Sequence, residues 1–460
     1  MRSLRSPAVV EAAVAATVVA LAAALRVVGS GSGLPLPLLN PDETNIVPRA
    51  WELVHGGGLD PGWYDYPSLL FLLVAPSQIG LDAPSYGTAR VVAILIGLLG
   101  VAAAWWLGRA VYGRAAALTG AVGVAVATTH VAYSRMAVTD VLLTLGVTVC
   151  LALLVTGRLE WAGVAAGLAA SAKYPGIVLA VPLLVAGYGR WRRTAIAFAL
   201  AALAFVLTSP FVVVHGGGAW DDVSRVNRLA REGWLGFEDD PVTPAAFSLR
   251  LWETVGPVVL VALVGIAVAV RRRERRDLVL LSFVAAYSLS LLPIEAHFDR
   301  YVLPLVPVVC VLAGATRVLA VAALVCCVVP LWWSVADTSA LTGRDQRLDA
   351  AAWIVRAVPR GDTIAADPST LPLPDRRVIR LELPGPGRPF DPRRSLAALR
   401  AQGARWLVVS GSVTDRVLAA SGDYPREAVF YRSLASLTPA FAVGPSGRDR
   451  PWLRVYRIYP

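Results

Sequence analysis

Long apolar segments are the feature of this sequence that most restricts its fold. They lie at residues 8–28, 67–81, 87–107, 115–133, 138–156, 160–173, 174–188, 194–214, 252–270, 277–294, 301–316 and 317–336. About 20 apolar residues in a helix cross the ~30 Å hydrocarbon core of a bilayer. Only 16% of the residues are charged, whereas a soluble domain typically carries about 25%. The sequence therefore predicts a polytopic membrane protein.

The basic residues form short clusters between the apolar segments. The clusters are Arg2 and Arg5, Arg109 and Arg114, Arg158, Arg190 with Arg192 and Arg193, residues 271–276, and Arg317. This arrangement is typical of loops kept on the cytoplasmic side of a membrane. We therefore attribute the formal net charge of +11 to membrane topology, and we expect no nucleic-acid partner.

The clusters also predict the number of membrane crossings. If they all face the cytoplasm, an even number of crossings must separate neighbouring clusters, yet three apolar segments lie between Arg5 and Arg109. Segment 67–81 is short and contains an internal proline, so we assign it as an interfacial or re-entrant helix in the first outside loop. The predicted fold is mainly α, with about 11 transmembrane helices, a cytoplasmic N-terminus and an extracytoplasmic C-terminus.

The C-terminal part of the chain differs in composition from the rest. It is polar, rich in Pro and Arg, and contains the strand-like runs TIAAD, RWLVVSG and WLRVYRIY after one helical pattern, DQRLDAAAWIVRAV. About 120 residues suffice to bury a core. We predict a transmembrane domain of residues 1–336 and a small extracytoplasmic α/β domain of residues 337–460.

Most of the unusual ionisable residues fall on the outer side in this topology. They are Asp42, Glu43, Asp65, Arg135, Asp140, Lys173, Glu295, His297, Asp299 and Arg300. Each has a structural interpretation of its own: Asp42 or Asp140 could begin a helix, and Lys173 could extend its amine to the interface. Ionisable groups near membrane depth are costly and usually functional. Their occurrence on one side favours a polar cavity at the outer interface.

An ordered set of short motifs resembles a known group of enzymes. The motifs NPDE, YDYPSLLF, YSRMAVTDVLL, AKYPG and FDRYVLPLVP resemble those of integral-membrane glycosyltransferases of the C-type fold. The resemblance covers roughly residues 8–336 and points to the protein O-mannosyltransferases and the bacterial aminoarabinose (lipid A) transferases. It implies an enzyme of the bacterial cytoplasmic membrane that moves a sugar, with inversion, from a polyprenyl-phosphate donor to a protein, lipid or glycan acceptor outside.

The resemblance also implies roles for individual residues. The expected catalytic residues are Asp42, Glu43 and Asp140. The expected donor-phosphate-binding residues are Lys173, Arg300 and Tyr301. The expected substrate-binding residues are Asp65, Tyr66, Tyr174, Arg135, His297 and Glu295. At Tyr66 the aminoarabinose transferases carry a basic residue, so this position departs from their pattern.

These residue types suit the implied reaction. Displacing a lipid phosphate from an anomeric carbon builds negative charge on the phosphate, which the fixed cations Lys173 and Arg300 would stabilise. The acceptor hydroxyl must lose a proton, and Asp42 is the best candidate for the base. Glu43 and Asp140 could orient the acceptor or, with Asp42, bind a divalent cation. Carboxylate ligands would suit Mg²⁺ or Mn²⁺.

Three other functions fit parts of the sequence. A transporter or flippase of lipid-linked sugars would also place charges near membrane depth, although matching sequence halves typical of transporters are not seen. A polysaccharide polymerase or ligase would use arginines in a large outer loop, and Arg225, Arg228 and Arg231 lie in loop 215–251. A non-catalytic scaffold of the cell envelope would use residues 337–460 as a binding module. The sequence leaves these alternatives open.

Overall fold

A computed structural model of the chain describes residues 7–373, 375–445 and 450–459. The predicted basic cluster Arg2 and Arg5 lies outside these residues. The described chain is mainly helical and has one five-stranded sheet near its C-terminal end. The mainly α fold class with a small C-terminal sheet is therefore confirmed.

The helices follow one another with short connections. In chain order they are α1 (Pro7–Val27), α2 (Glu43–Glu52), α3 (Leu69–Val74), α4 (Tyr86–Val111), α5 (Arg114–Val126), α6 (Thr128–Tyr133), α7 (Thr139–Val155), α8 (Leu159–Ala172), α9 (Ala180–Gly187), α10 (Trp191–Thr208), α11 (Pro210–Val214), α12 (Gly216–Glu232), α13 (Thr243–Val255), α14 (Val258–Arg272), α15 (Arg275–Leu291), α16 (Val306–Leu312), α17 (Arg317–Cys326), α18 (Val328–Ala340), α19 (Arg347–Ala357), α20 (Leu396–Ala401), α21 (Gly411–Ala419) and α22 (Pro425–Ser433). Short 3₁₀ helices lie at Ala75–Gln78, Tyr174–Leu179, Asp299–Leu305 and Leu434–Ser436.

Only some of the predicted crossings are long straight helices. Within the described ranges, three helices are long and apolar enough to span a membrane: α4, α10, and α17 with α18 taken together as Arg317–Ala340. A fourth span results if α13 and α14, which meet at an angle of 111°, are counted together. Shorter apolar helices lie at Leu69–Gln78, Arg114–Val126, Thr139–Val155 and Tyr174–Gly187. The count of eleven crossings therefore stays a prediction.

Proline explains why one predicted crossing, 301–316, is not a single helix. Pro304 lies in the 3₁₀ segment Asp299–Leu305, and Pro307 lies at the start of the seven-residue helix α16. Each proline lacks the backbone donor that would extend a helix in the N-terminal direction. All residues of α16 are buried. Non-helical backbone at membrane depth is tolerated where protein covers it, and this segment meets that condition.

Close approach of α8 and α10 depends on glycine. A Cβ atom at Gly163 would lie 2.1 Å from the carbonyl oxygen of Ala197, and one at Gly167 would lie 2.1 Å from that of Ala201. The GVAAG sequence therefore lets the two backbones touch, as small residues do between membrane helices. This contact fixes the C-terminal end of α8, where Lys173 follows.

The arginine clusters meet at one end of the helical region. Arg114 at the start of α5 lies 3.0 Å from Glu11 on α1, and Arg109 lies 3.9 Å from the same carboxylate. Arg276 donates a hydrogen bond of 3.0 Å to the carbonyl of Ala110. Clusters 109–114 and 271–276 therefore lie on the same side, as the topology requires. The assignment of that side to the cytoplasm stays a prediction.

The C-terminal sheet has a mixed topology. Its strands are β1 (Thr363–Ala366), β2 (Arg377–Arg380), β3 (Ala404–Ser410), β4 (Phe441–Val443) and β5 (Leu453–Arg457), in the order β2-β1-β3-β5-β4. The first three are parallel, and β5 is antiparallel to β3 and β4. The three strand-like sequence runs correspond to β1, β3 and β5, and the helical pattern corresponds to α19. The predicted boundary at 336/337 falls within α18.

Loops of the helical region pack on this sheet. Leu38 of the first outer loop (residues 29–86) belongs to one of the two hydrophobic clusters of the C-terminal region, and Leu235 of the third outer loop (residues 215–251) belongs to the other. Arg450 donates a hydrogen bond of 2.8 Å to the hydroxyl of Ser32 in the first loop. The C-terminal region is thus held against the loops that carry the candidate site.

Candidate active site

Four segments that are distant in sequence bring charged residues to one place. Asp42 immediately precedes α2, Asp140 lies in the first turn of α7, Lys173 follows the last residue of α8, and Arg300 lies in the 3₁₀ segment Asp299–Leu305. Asp140 and Lys173 stand at the start and the end of apolar helices, and Asp42 stands at the start of the more polar helix α2. A charged side chain at such a position can remain near the aqueous interface while its helix is buried.

Two ion pairs form the centre of the site. Arg300 Nη1 lies 2.7 Å from Asp42 Oδ2, and Lys173 Nζ lies 2.6 Å from Asp140 Oδ1. The Asp140 side chain is 3% exposed and the Lys173 side chain 10%, while Arg300 and Asp42 are 14% and 21% exposed. The site is therefore largely screened from water but still reachable through the Asp42–Arg300 pair.

Two tyrosines join the ion pairs. The hydroxyl of Tyr66 donates a 2.9 Å hydrogen bond to Asp42 Oδ2, and Lys173 Nζ lies 5.5 Å from the centre of the Tyr66 ring. The same Nζ atom lies 5.3 Å from the centre of the Tyr301 ring. At these distances the ring faces attract the cation. We call Asp42, Tyr66, Asp140, Lys173, Arg300 and Tyr301 the charged cluster.

Two buried polar atoms of the cluster lack a hydrogen-bond partner among the described residues. They are Oδ2 of Asp140, an acceptor, and Nε of Arg300, a donor. An unsatisfied buried polar group costs about 1–3 kcal/mol, and such groups are uncommon in folded proteins. A ligand that both donates and accepts hydrogen bonds, such as a sugar or a phosphate ester carrying hydroxyls, would satisfy both atoms.

Asp42 has the protonation state that a base requires. Burial raises the pKa of its carboxyl, but the Arg300 guanidinium and the Tyr66 hydroxyl lower it by more. The net pKa is below the ordinary value for aspartate, so the carboxyl is ionised at neutral pH.

Asp299 and Tyr133 are site residues to which the sequence analysis assigned no role. The Tyr133 hydroxyl donates a 2.9 Å hydrogen bond to Asp299 Oδ1, which also accepts the backbone N–H of Arg300 at 2.8 Å. The two residues hold the start of the 3₁₀ segment and so orient Arg300. Asp299 lies beside Arg300 in FDRY, and Tyr133 lies two residues before Arg135 in YSRM. These neighbours are the sequence signals that could have identified the two residues.

Glu43 is placed outside the charged cluster. Its two carboxylate oxygens accept hydrogen bonds of 2.9 and 2.7 Å from Arg90, and both side chains are at most 1% exposed. Glu43 Oε1 also accepts the backbone N–H of Ala137 at 3.1 Å. Arg90 in turn donates to the carbonyls of Ser30 and Ser32 at 2.8 Å. Glu43 therefore holds the first loop and α4 together, and the structure does not bring it beside the reacting groups as expected.

Three expected substrate-binding residues lie in other networks. Buried Arg135 donates to the carbonyl of Leu25 and to the hydroxyl of Thr338. His297 is 2% exposed, with Nδ1 at 3.2 Å from Asp240 and Nε2 at 3.2 Å from the Thr243 hydroxyl. Glu295 is exposed and accepts from the same Thr243 hydroxyl at 3.2 Å. None of these contacts reaches the charged cluster.

Asp65 and Tyr174 connect the first loop to its neighbours. Asp65 is ion-paired with Arg225 of α12, and the Tyr174 hydroxyl donates a 2.8 Å hydrogen bond to the carbonyl of Tyr64. The backbone N–H of Tyr64 donates to Asp222 of α12 at 3.0 Å. These contacts place the loop that carries Tyr66. They also neutralise Arg225, one of the three arginines that favoured a polymerase or ligase.

The carboxylates expected to share a divalent cation are not gathered. In the part of the chain that the structure describes, no group of three or more His, Cys, Asp or Glu side chains is arranged to hold a metal ion. Asp42 and Asp140 are each paired with a cation of the chain, and Glu43 is bound by Arg90. Because their charges are balanced internally, these residues as placed do not fit a common metal site.

The fold of the chain matches that of known proteins. The chain has the fold of integral-membrane glycosyltransferases of the C-type, and this confirms the resemblance seen in its motifs. Residues 83–214, which include Asp140 and Lys173, match the family model described as dolichyl-phosphate-mannose-protein mannosyltransferase.

Two solved structures illustrate the similarity. The oligosaccharyltransferase of Archaeoglobus fulgidus in its apo form is 14% identical, with a TM-score of 0.61, over 95% of this chain and 74% of that one. ArnT from Cupriavidus metallidurans, bound to undecaprenyl phosphate, is 16% identical, with a TM-score of 0.59, over 98% of both chains. No curated protein matches the chain by sequence. At these identities the likeness establishes the fold alone.

Proposed function

We propose that this protein transfers a sugar from a polyprenyl-phosphate-linked donor to an acceptor hydroxyl at the outer face of the bacterial cytoplasmic membrane, with inversion. The observation that carries the proposal is the charged cluster, in which two largely buried ion pairs lie together and one buried donor and one buried acceptor have no hydrogen-bond partner among the described residues. Two proteins of the same fold support the donor class. ArnT was solved with undecaprenyl phosphate, and the Archaeoglobus oligosaccharyltransferase AglB with dolichol phosphate and an inhibitory peptide.

Lys173 and Arg300 are the groups that would bind the donor phosphate. The donor is a phosphodiester with one negative charge, and the departing polyprenyl phosphate is a monoester with two. Lys173 supplies a compact charge and Arg300 a planar set of donors, which includes an Nε atom without a partner among the described residues. Because both cations are fixed in a poorly hydrated site, they would stabilise the added charge more strongly than water does.

Asp42 would act as the general base. Arg300 and Tyr66 both donate to Oδ2 of Asp42, which leaves Oδ1 for the acceptor hydroxyl. The acceptor oxygen then forms a bond to the anomeric carbon while the bond from that carbon to the phosphate oxygen breaks. The hydroxyl proton passes to Asp42, and the electron pair stays with the phosphate. The lowered pKa of Asp42 keeps its carboxyl ionised before the step.

Asp140 and Asp299 would position these groups. Asp140 uses Oδ1 to hold Lys173 and leaves Oδ2 for a hydroxyl of the sugar or acceptor. Asp299 holds the backbone of Arg300. The proposed mechanism takes no step through a metal ion, although the Archaeoglobus enzyme was also solved with Zn and sulfate. Whether Mg²⁺ or Mn²⁺ assists this chain is tested by adding EDTA to the assay below.

The test uses the full chain reconstituted in lipid nanodiscs with undecaprenyl-phosphate-linked radiolabelled mannose, glucose, galactose or arabinose. We expect one of these donors to be consumed with release of undecaprenyl phosphate when membrane extract supplies the acceptor, and we expect Asp42→Asn to abolish this release. Unchanged release by the Asp42→Asn variant would contradict the proposal. In proteoliposomes, movement of the intact donor across the bilayer without release of undecaprenyl phosphate would favour the flippase alternative.

A further inference from the structure

A cleft lies between the third outer loop and the C-terminal region. Its volume is about 550 Å³, within the ~300–1,000 Å³ range of small-molecule sites. It is lined by Glu238, residues 385–388, Phe390 and residues 423–427. The proposed transfer chemistry uses none of these residues.

The cleft presents hydrogen-bond donors and acceptors in similar number. Arg388 and Arg426 supply donors, and Glu238, Asp423 and Glu427 supply acceptors. An anion would meet three carboxylates here, and an apolar ligand would remove five ionisable side chains from water at a high cost. Sugar hydroxyls donate and accept equally well, so this lining matches a neutral, hydroxyl-rich ligand.

Each arginine of the cleft lies over an aromatic ring, and two donor atoms of Arg388 are without a hydrogen-bond partner among the described residues. The Arg388 guanidinium lies 4.2 Å from the ring centre of Trp234, and the Arg426 guanidinium lies 3.9 Å from that of Phe390. Arg388 Nη1 donates to the carbonyl of Leu383 at 3.2 Å, but its buried Nε and Nη2 have no partner among the described residues. Such donors are costly to leave unsatisfied, and a ligand hydroxyl that reached them would remove this cost.

Aromatic contacts connect the cleft to the charged cluster. The Trp234 ring lies 5.6 Å from that of Phe298, and the Phe298 ring lies 4.9 Å from the guanidinium of Arg300. On the opposite wall, the Tyr424 hydroxyl donates to Glu238 at 2.6 Å and fixes the third loop to α22. Arg388 of the cleft is therefore linked through Trp234 and Phe298 to Arg300, the residue expected to bind the donor phosphate.

We propose that this cleft binds the acceptor as a neutral glycan chain, with Arg388 and Arg426 as its principal hydrogen-bond donors. The identification of the glycan as the acceptor rests on the proposed function, whereas the binding itself does not. A glycan bound there would lie beside the aromatic contacts that lead to Arg300, the ion-pair partner of Asp42.

Direct binding tests this inference without any transfer reaction. Full-length protein in nanodiscs is titrated with three neutral tetrasaccharides, of mannose, of arabinose and of glucose, and with tetragalacturonate as an acidic probe. We expect saturable binding of at least one neutral probe, weakened about tenfold or more by Arg388→Ala and by Arg426→Ala. The matched control is Arg454→Ala, which removes an arginine stacked 4.6 Å from Trp452 outside the cleft and should retain the wild-type Kd.

Each other outcome contradicts the inference. These outcomes are no saturable binding of any neutral probe, equal Kd values in the cleft variants, or tighter binding of tetragalacturonate. Arg426 is exposed, so its variant tests the inference even if Arg388→Ala does not fold. Glycan binding without any sugar transfer would overturn the proposed function alone. Sugar transfer without glycan binding would overturn this inference alone.

Discussion

Asp42 and Glu43 are neighbours in sequence, and each pairs with an arginine, yet the two pairs differ in nearly every other respect. Glu43 and Arg90 are at most 1% exposed, and both oxygens of the carboxylate are bound by the guanidinium. Asp42 and Arg300 are 21% and 14% exposed, they share one hydrogen bond, and Arg300 Nε remains without a partner among the described residues. The first pair is closed, and the second can still bind a ligand.

The difference follows from helix geometry. Both residues lie at the start of α2, where successive side chains point about 100° apart because the helix has 3.6 residues per turn. One carboxylate therefore turns into the packed interface with α4, and the other turns toward the 3₁₀ segment Asp299–Leu305. An Asp-Glu pair at a helix start can thus combine one structural and one reactive carboxylate.

Replacing Asp42 should give the largest effect on activity. Asp42→Asn keeps the shape of the side chain but cannot accept the acceptor proton, and general bases typically contribute about 10²–10⁴-fold to the rate. We expect a loss of kcat in that range, measured as release of polyprenyl phosphate. The thermal unfolding midpoint should stay near that of the wild type because the pair is partly exposed. A large drop in this midpoint would mean that Asp42 is as structural as Glu43.

Replacing Arg90 should give the largest effect on stability. Arg90→Ala leaves the Glu43 carboxylate buried and unpaired, and breaking such a pair typically costs about 3–5 kcal/mol. We expect a lower unfolding midpoint in detergent by differential scanning fluorimetry. The double variant Glu43→Leu/Arg90→Met is the control, since it removes both charges and should recover much of the stability. If Arg90→Ala unfolds like the wild type but loses activity, the closed pair has a direct part in catalysis.

Replacing Lys173 with arginine tests how closely the other ion pair is fitted. Lys173 Nζ lies between Asp140 and the rings of Tyr66 and Tyr301, where a larger planar guanidinium would displace its neighbours. The changed shape should lower kcat/KM for the donor, and the kept charge should limit the loss to about tenfold, which corresponds to ~1.4 kcal/mol. Steady-state kinetics with varied donor measures this. Wild-type kcat/KM would show that charge alone suffices at this position.

The sequence predicted the residues of the charged cluster better than it predicted the buried Glu43–Arg90 pair. Asp42, Asp140, Lys173 and Arg300 were expected together because the positive-inside pattern placed their loops on one face. The inward turn of Glu43 could not be predicted, since hydropathy does not give the direction of a side chain around a helix start. Arg90 was assigned no role because it lies within apolar segment 87–107, where a buried arginine and a lipid-facing one look alike.

The sequence likewise predicted only part of the secondary structure. Runs of apolar residues predicted where most helices and three of the five strands lie. The breaks within segment 301–316 depend on Pro304 and Pro307, and on the packed surroundings of α16 that make them tolerable. The edge strands β2 and β4 are short, and their sequences carry too few alternating residues to be recognised.

Replacing Tyr66 with phenylalanine should give the smallest and most specific effect on activity. Tyr66→Phe removes the hydroxyl that donates to Asp42 while it keeps the ring beside Lys173. That hydrogen bond lowers the pKa of Asp42, against the effect of burial, so its loss should raise the pKa. The base is active only when ionised, and activity is lost as pH falls through its pKa. The acidic limb of the kcat profile should therefore move to higher pH, with little change at pH 8.

The control is Tyr64→Phe, because the Tyr64 hydroxyl donates to Asp60 and not to Asp42. Equal shifts in both variants, or no shift in Tyr66→Phe, would remove Asp42 from the role of base.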